Sequence, residues 1–371
     1  MRIVFVSSTN IMLNNGNVLC EIHRLNQLSR RASVTYFSFW NSKNEVISFL
    51  RNNNLESVNV HASNFIIRFF FKLLYYLNAI LCNKLRLYEG YRLIKIPFLY
   101  KKFEIYDIFF SFYIFPLMVV GGHERLKQII VDSNDILSDR HDFLGFRKWF
   151  SFRLSDEFKI INQPNVKFAV ISENDYSFYA NLTNRYIYKL YYNNHSVSNL
   201  SSKSKDLRVG FIASDSPLNR RDLKKMLDVI REYGNNYINT INLLIAGSIV
   251  EYAKELGIED SHLFRESDGD NYIKEFYDKI SILIVPCGKS TGIKTKILES
   301  LNYNTCVITT KFGYDNCLSI FDDFIKIMPV NYNSKILSNL ISSFNNSKNS
   351  LINVKMSDYN RIIDNQFNQL I

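Results

Sequence analysis

Short apolar runs alternate with segments of helical periodicity along the first half of the chain. The runs that predict buried strands are Ile3–Val6, Val34–Phe39, Ile108–Phe112, Gln128–Val131 and Lys167–Ile171. Apolar residues recur at helical spacing from Val18 to Leu28, and a second helical pattern covers about 147–161. Strands that alternate with helices indicate a parallel, doubly wound sheet.

The same alternation begins again after a polar, serine-rich segment at 193–206, whose composition is typical of a linker or a long exposed loop. Beyond it, strands are predicted at Leu207–Ala213, Ile241–Ala246 and Ile280–Val285, and helices at Leu218–Tyr233 and Tyr272–Tyr277. The pattern therefore predicts two α/β domains, at 1–195 and 207–352. A C-terminal helix at 353–371 follows them, and packing back against the first domain is one arrangement open to it.

The segment 282–313 carries the most specific pattern in the chain. It reads as a strand that stops at Pro286, a glycine-containing loop, a helix that carries Glu299, and a second strand. Such a loop presents backbone N–H groups and a helix N-terminus, both of which favour anions. Positive charge is added by Lys289, Lys294 and Lys296. The segment therefore predicts a site for a phosphate-bearing ligand, with Glu299 available to a hydroxyl-bearing one.

The glycine loop has two other interpretations, a Walker A phosphate loop and a plain turn. Gly288-Lys289-Ser290 is similar to the end of a Walker A loop, but that motif needs a further glycine five residues before the Gly-Lys pair, and position 283 is leucine within the predicted strand. An ATPase site is therefore disfavoured. A plain strand-to-helix turn remains open, because Gly288 and Gly292 would serve that purpose equally well.

Residues 290–299 read Ser-Thr-Gly-Ile-Lys-Thr-Lys-Ile-Leu-Glu, and Gly313 follows the next predicted strand. This segment resembles the nucleotide-sugar half of the retaining glycosyltransferases with the GT-B fold, the large group 1 (family 4-like) class. The resemblance covers 207–313 best, and it implies two Rossmann-like domains that face each other across a cleft. Many members carry two glutamates eight positions apart, and Thr291 stands where the first of them would be.

The resemblance also implies roles for individual residues. Glu299 would hold the ribose hydroxyls of the donor, and Arg221 and Lys294 would be catalytic, because they would neutralise the diphosphate. The donor-binding residues that it implies are Gly16, Arg220, Gly247, Gly288, Ser290, Thr291, Gly292, Ile293, Lys296 and Glu299. From the residues alone, Gly16 is also consistent with a simple turn before a helix, and the two arginines with a solvated helix start.

A second cluster of ionisable groups follows the predicted strand that ends at Val131. Relatives often read Asp-x-His-Asp here, and Asn134 takes the place of that histidine. The resemblance implies Asp135 and His141 for catalysis, and Asn134, Asp139 and Arg140 beside the acceptor. An Asx-type cap on the following helix and a magnesium site are the alternatives. Since this fold uses cationic side chains and helix dipoles, neither a metal nor a cofactor is expected.

Charge is concentrated in one part of this 371-residue chain, whose net charge is +10. Residues 64–102 hold eight basic side chains against one acidic residue, Glu89, among many aromatic and aliphatic ones. Apolar residues from Phe65 to Leu81 follow helical spacing, with Arg68 and Lys72 on another face. The pattern predicts a basic amphipathic helix in the interface of an anionic membrane. An ordinary core helix is the alternative, while the early charges argue against a membrane span.

The remaining features bound the location and the partners. Five scattered cysteines form neither a disulfide framework nor a zinc-ligand spacing, and the N-terminus is too quickly polar for a signal peptide. The basic cluster is too apolar for a nucleic-acid groove. We therefore expect a cytoplasmic, membrane-peripheral glycosyltransferase that takes a nucleotide-diphosphate sugar and a glycan or lipid-linked acceptor, as for O-antigen or capsule. Alternatives are an inverting transferase, an epimerase, or a catalytically silent GT-B-like subunit that binds glycan or membrane.

Overall fold

The computed structural model describes residues 1–11, 16–62, 65–69, 72–73, 96, 98–133, 154–192, 208–234, 237–265, 272–288, 294–344 and 350–371. The chain divides into two compact units. The first comprises Met1–Tyr192 and Asn365–Ile371, and the second comprises Asn193–Asp364.

The first unit is built on a seven-stranded parallel sheet. Its strands are β1 (Arg2–Ser7), β2 (Ser33–Ser38), β3 (Asn59–Ala62), β4 (Ile108–Phe112), β5 (Ile129–Ser133), β6 (Val166–Val170) and β7 (Ile187–Lys189). They lie in the order β3-β2-β1-β4-β5-β6-β7. The described helices of this unit are α1 (Gly16–Ser29), α2 (Lys43–Asn52), α3 (Phe115–Val119), α4 (Leu154–Ile161) and α5 (Glu173–Ala180), with 3₁₀ turns at Leu99–Lys102 and His123–Arg125. The order reverses direction at β1, as in doubly wound sheets.

The central strand β1 explains why this sheet is buried on both faces. Its residues Ile3 to Val6 are fully buried, as expected for a parallel strand covered by helices on each side. On one face, the Phe5 ring stacks against Tyr36 and Phe110 at centroid distances of 5.8 and 5.3 Å. On the other, Val4 and Val6 belong to the main apolar cluster. A continuous apolar run in the sequence thus becomes a two-sided core strand.

One buried acid in this core has an altered protonation equilibrium. Glu21 on α1 accepts a hydrogen bond of 2.9 Å from Ser7 Oγ through Oε2, and its Oε1 contacts the Tyr36 hydroxyl. Burial raises the pKa of Glu21 to about 7, although the hydrogen bonds act in the opposite direction. Since the folded state binds the proton more tightly than the unfolded state, this side chain's contribution to stability is complete below about pH 4.5 and is lost as the pH rises through about 7.

Replacing Glu21 with glutamine should therefore stabilise the protein at pH 8 by about 1–3 kcal/mol and change little at pH 5, because the amide cannot ionise in the buried site. Urea unfolding at both pH values measures this difference. Glu56→Gln, at an exposed position of the same unit, is the matched control. An equal effect of Glu21→Gln at pH 5 and pH 8 would contradict the assignment of the ionisation to this carboxyl.

The second unit contains a six-stranded parallel sheet. Its strands are β8 (Val209–Ile212), β9 (Leu244–Ala246), β10 (Leu263–Phe264), β11 (Ile282–Val285), β12 (Cys306–Thr310) and β13 (Ile325–Met328), in the order β10-β9-β8-β11-β12-β13. Its described helices are α6 (Pro217–Glu232), α7 (Tyr237–Thr240), α8 (Val250–Glu255), α9 (Tyr272–Lys279), α10 (Thr295–Asn302), α11 (Ser334–Ser342) and α12 (Ser350–Leu370), with 3₁₀ turns at Asp260–His262 and Asn316–Phe321.

The long helix α12 contributes to both units. Its residue Tyr359 packs edge-on against Phe321 of the second unit at 5.5 Å between ring centroids. Its last turn belongs to the first unit, where Lys167 Nζ donates to the carbonyl oxygen of Leu370 at 2.6 Å. In the described part of the chain, none of the helices combines the length and the apolarity that a bilayer span requires.

Candidate functional site

The candidate site lies in the second unit, where β8, β9 and β11 end and the helices α6 and α10 begin. Ligands of open α/β sheets bind at the carboxyl ends of the strands. The residues that follow these three strands are Ala213, Gly247 and the segment Pro286–Gly288. All the described donor-binding candidates of this unit lie in these turns or on the first turns of the two helices.

Gly247 shapes the backbone at the end of β9. Its φ of +89° is in the left-handed region, and a Cβ atom built there would lie 2.3 Å from the carbonyl oxygen of Ala213. Its N–H donates to the hydroxyl of Tyr272 at 2.6 Å, and that hydroxyl lies 2.9 Å from the carbonyl oxygen of Phe264. Gly247 therefore permits two strand ends to approach closely, and its N–H is already bonded within the protein.

Gly288, three residues after β11, lies against the guanidinium of Arg221. A Cβ atom at this position would come within 2.3 Å of Arg221 Nη2. The Gly288 N–H donates to Asp222 Oδ2 at 3.4 Å, and Arg221 Nη2 lies 3.2 Å from Asp222 Oδ1. Burial raises the pKa of Asp222, while Arg221 acts in the opposite direction. The fold thus brings together Arg221 and Gly288, two residues that the sequence singled out separately, through an aspartate that it did not.

The neighbouring arginine points to a different set of partners. Arg220 makes two hydrogen bonds to the carboxylate of Asp215, at 2.5 and 2.7 Å, and its guanidinium lies 4.7 Å from the ring centroid of Tyr252. The bond from Arg220 lowers the pKa of Asp215. Of the two adjacent arginines, Arg221 is therefore the one beside the glycine loop, and Arg220 is engaged by its own aspartate.

Lys296 and Glu299 lie one turn apart on α10. Lys296 Nζ donates to the carbonyl oxygen of Ile212, the last residue of β8, at 3.0 Å. The hydroxyl of Tyr277 lies 3.4 Å from Glu299 Oε2. Burial lowers the pKa of Lys296 and raises the pKa of Glu299, and the attraction between the two charges opposes both changes. The pair is thus a half-buried cation and a buried carboxyl at the carboxyl end of the sheet.

The thiol of Cys287 marks the point where the cations meet. Burial raises its pKa, whereas Lys294, Lys296 and Arg221 act to lower it. Lys294 occupies the N-cap position of α10, so its positive charge adds to the positive end of the helix dipole. With Arg221 beside Gly288 and Lys296 Nζ at the end of β8, three cations therefore lie around the carboxyl ends of β8 and β11, an arrangement that suits a diphosphate.

Several predicted site residues lie outside the described residues. They are Asn134, Asp135, Asp139, Arg140 and His141 in the first unit, and Ser290, Thr291, Gly292 and Ile293 in the second. Gly16 is the first residue of α1. Among the described residues, no group of three or more His, Cys, Asp or Glu side chains could hold a metal ion.

The strand before the predicted acceptor-side cluster ends in a structural ion pair. Asp132, two positions before Asn134, is fully buried and lies 2.7 Å from Arg24 Nε. Arg24 also donates to the carbonyl oxygens of Leu190 and Tyr191. Asp132 therefore connects β5 to α1. Arg24 was not identified from the sequence, in which nothing distinguishes it from a solvated helix residue.

The chain matches no protein-family model and no curated protein sequence. It is similar to solved structures over its full length. Anabaena HepE in complex with UDP and glucose is 14% identical with a TM-score of 0.60, covering 100% of this chain and 98% of that one. A variant of S. aureus TarM in complex with Fondaparinux, α-GlcNAc-glycerol and UDP is 12% identical with a TM-score of 0.60, covering 98% and 96%.

A third solved structure, WaaG, a glycosyltransferase involved in lipopolysaccharide biosynthesis, is 10% identical with a TM-score of 0.60, covering 98% of this chain and 95% of that one. At these identities the likeness establishes the fold. Two parallel sheets with flanking helices in one chain, matched over its whole length by these structures, confirm the predicted fold class: the chain has the GT-B fold of glycosyltransferases.

Proposed function

We propose that this protein is a retaining glycosyltransferase that moves a sugar from a nucleotide-diphosphate donor to a glycan acceptor. The observation that carries the proposal is the placement of three cations around the carboxyl ends of β8 and β11: Arg221 beside Gly288, Lys294 at the N-cap of α10, and Lys296 with its Nζ on the carbonyl oxygen of Ile212. The structures of HepE and TarM hold UDP in proteins of the same fold. WaaG is described as acting in lipopolysaccharide biosynthesis, which supports a lipid-linked surface polysaccharide as the acceptor.

The chemistry of the donor explains the need for clustered cations. As the bond between sugar and diphosphate breaks, negative charge develops on the departing oxygen, and preorganised positive groups stabilise that charge. Arg221 offers forked donors, and Lys294 adds its charge to the helix N-terminus. Glu299 is the candidate for the ribose hydroxyls, because a buried carboxyl can accept from two neighbouring hydroxyls. With three cations in place, we expect transfer to proceed without a divalent metal.

The first experiment is a thermal-shift screen with UDP-, GDP-, CMP- and dTDP-sugars, followed by nucleotide release with the sugar that binds. We expect one nucleotide to raise the melting temperature and its sugar to be hydrolysed slowly without acceptor. EDTA should leave that rate unchanged, and NMR of the product should show a retained anomeric configuration. Absence of both a shift and hydrolysis with every nucleotide sugar would contradict the proposal.

We also propose that the segment 64–102 binds an anionic membrane surface. Its described part carries a stripe of exposed apolar side chains at helical spacing. They are Phe65 (71% exposed), Ile66 (62%), Phe69 (52%) and Leu73 (40%). The rings of Phe65 and Phe69 stack on each other at 6.1 Å. A core helix would bury such a stripe, whereas an interfacial helix exposes it beside basic residues such as Arg68.

Replacing Phe65 and Phe69 together with serine should reduce binding to vesicles of phosphatidylglycerol and phosphatidylcholine by tenfold or more, because each ring would otherwise bury apolar surface worth about 1.5–3 kcal/mol. Vesicle co-flotation measures the bound fraction. Val354→Ser combined with Ile362→Ser, at exposed apolar positions of α12, is the matched control. Equal flotation of the double Phe variant and the unmodified chain would contradict membrane binding through this stripe.

A further inference from the structure

A cavity of about 480 Å³ opens in the first unit at the amino ends of β5, β6 and β7. Gln128 precedes β5, Asn165 precedes β6, and Tyr186 precedes β7. The acceptor-side residues predicted from the sequence follow the opposite, carboxyl end of β5. A strand rises about 3.3 Å per residue, so the five residues of β5 separate the two ends by roughly 15 Å. The cavity therefore lies at the opposite end of β5 from Ser133, the last described residue before the predicted acceptor-side cluster.

The wall of this cavity is positively charged. It contains Lys127, Lys167 and Arg185, and none of its lining residues is acidic. Arg185 uses Nη2 on the carbonyl oxygen of Gln163 at 3.0 Å, while its Nε and Nη1 have no partner within the described residues. Lys127 is 62% exposed, with Asp107 Oδ1 at 3.7 Å from its Nζ. At least two cations are thus able to meet an anionic ligand.

The same wall presents an aromatic corner. Tyr186 is 69% exposed, and its ring stands at 80° to that of Tyr188, with 4.7 Å between centroids. Lys167 Nζ lies 5.6 Å from the centroid of Tyr188, so the open ring face belongs to Tyr186. Successive nucleic-acid bases need aromatic faces on which they can stack in sequence, and two perpendicular rings do not provide them. A single open face beside cations instead suits the apolar C–H face of a charged sugar ring.

From this arrangement we infer that the cavity binds an acidic carbohydrate, a saccharide that carries carboxylate or phosphate groups. The sugar ring packs on Tyr186, and its acid group meets Arg185 and Lys127. The carbohydrate part of the inference rests on the proposed glycosyl transfer, and the requirement for an acid group rests on Arg185 and Lys127, because Lys167 already donates to the carbonyl oxygen of Leu370.

The test is a calorimetric titration of the unmodified chain without nucleotide sugar. The probes are tetragalacturonate, its fully methyl-esterified form, glucose 6-phosphate, inorganic phosphate and a thymidine octanucleotide. We expect tetragalacturonate or glucose 6-phosphate to bind at least about tenfold more tightly than the neutral ester. Their binding should weaken as salt is added. The comparison of these two acids identifies whether carboxylate or phosphate is preferred.

Variants locate the binding. Tyr186→Ala and Arg185→Gln should each lower the affinity for the acidic sugar at least about fivefold. The controls Tyr233→Ala and Arg51→Gln, both at exposed positions, should leave that affinity unchanged. Lys127→Gln provides a second charge variant that leaves the bonds of Arg185 to the backbone intact. Three results would each overturn the inference. They are an unchanged affinity in the Tyr186 variant and both charge variants, binding of the neutral ester as tight as that of the acidic sugar, and binding of the octanucleotide tighter than that of the acidic sugar.

The outcome is separable from that of the proposed function. If no acidic sugar binds in the calorimetric titration while a nucleotide sugar still raises the melting temperature, the cavity assignment alone is rejected. If the acidic sugar binds but the chain neither binds nor hydrolyses any nucleotide sugar, the transferase proposal is rejected and an acidic-sugar site remains.

Discussion

Replacing Lys294 with alanine should lower kcat/KM for glycosyl transfer by about 10²–10³-fold, the range found when one preorganised charge-stabilising group is removed from an active site. The physical reason is that Lys294 is one of three cations around the carboxyl ends of β8 and β11, where we propose that the leaving diphosphate gains charge. The measurement is steady-state transfer with the nucleotide sugar that the thermal-shift screen selects.

The same substitution should leave the fold at least as stable as before. A lysine at the N-cap of a helix is placed against the positive end of the helix dipole, which costs about 0.3–1 kcal/mol when it is exposed. Lys294 occupies this position on α10, so its removal should be neutral or slightly stabilising. Lys335→Ala, near the N-terminus of α11 and exposed, is the control that alters a comparable charge away from the site.

The effects of Lys294 and Arg221 should not add. Both bear on the same developing charge, and groups that act together give non-additive losses. Arg221→Lys keeps a charge but loses the forked donors, so it should reduce activity less than Arg221→Met. If Lys294→Ala transferred sugar at the unmodified rate while the fold remained intact, the cationic site at β11 would not be the seat of the chemistry.

The alternation of apolar runs predicted the fold, because each central strand is a continuous buried segment. The strands β3, β7, β10 and β13 were not predicted. β3 contains Asn59 and His61, and β7 and β10 are three and two residues long, so their apolar runs are too short to distinguish from loop sequence. α2 was also missed, although Ser42 and Glu45 form a capping box at its start, which is a signal that sequence reasoning can use.

The candidate site was predictable as a set of residue types but not as a set of contacts. The glycine loop and its lysines follow from the pattern at 282–299. Which of Arg220 and Arg221 faces Gly288 depends on the rotation of α6, and adjacent positions on a helix point about 100° apart. Asp222 and Cys287 entered the site only through tertiary contacts, since neither carries a motif that a single sequence reveals.

The buried pair of Arg24 and Asp132 should respond unequally to loss of either partner. Arg24→Met should destabilise the first unit by about 3–5 kcal/mol, because it leaves a buried carboxylate without its counter-charge. Asp132 Oδ1 already has no hydrogen-bond partner among the described residues, so nothing else compensates. Burial raises the pKa of Asp132, and Arg24 acts in the opposite direction.

Asp132→Asn should cost only about 1–2 kcal/mol. Arg24 would keep its bonds to the carbonyl oxygens of Leu190 and Tyr191 and to Gln27 Oε1, and the amide retains the shape of the carboxylate. In the double variant, most of the cost of Arg24→Met should disappear, because the neutral amide no longer needs a counter-charge.

Urea unfolding followed by tryptophan fluorescence measures these differences in the first unit, since both tryptophans, Trp40 and Trp149, precede residue 193. A cost for Asp132→Asn as large as that for Arg24→Met would show that the pair is held mainly by its mutual attraction. The smaller cost predicted for Asp132→Asn than for Arg24→Met follows, in contrast, from the partners of each side chain. Three further acceptors surround the arginine, whereas a single donor reaches the aspartate. Arg24 would then hold α1 to the segment after β7, through its bonds to the backbone, more firmly than it holds α1 to the end of β5 through the ion pair.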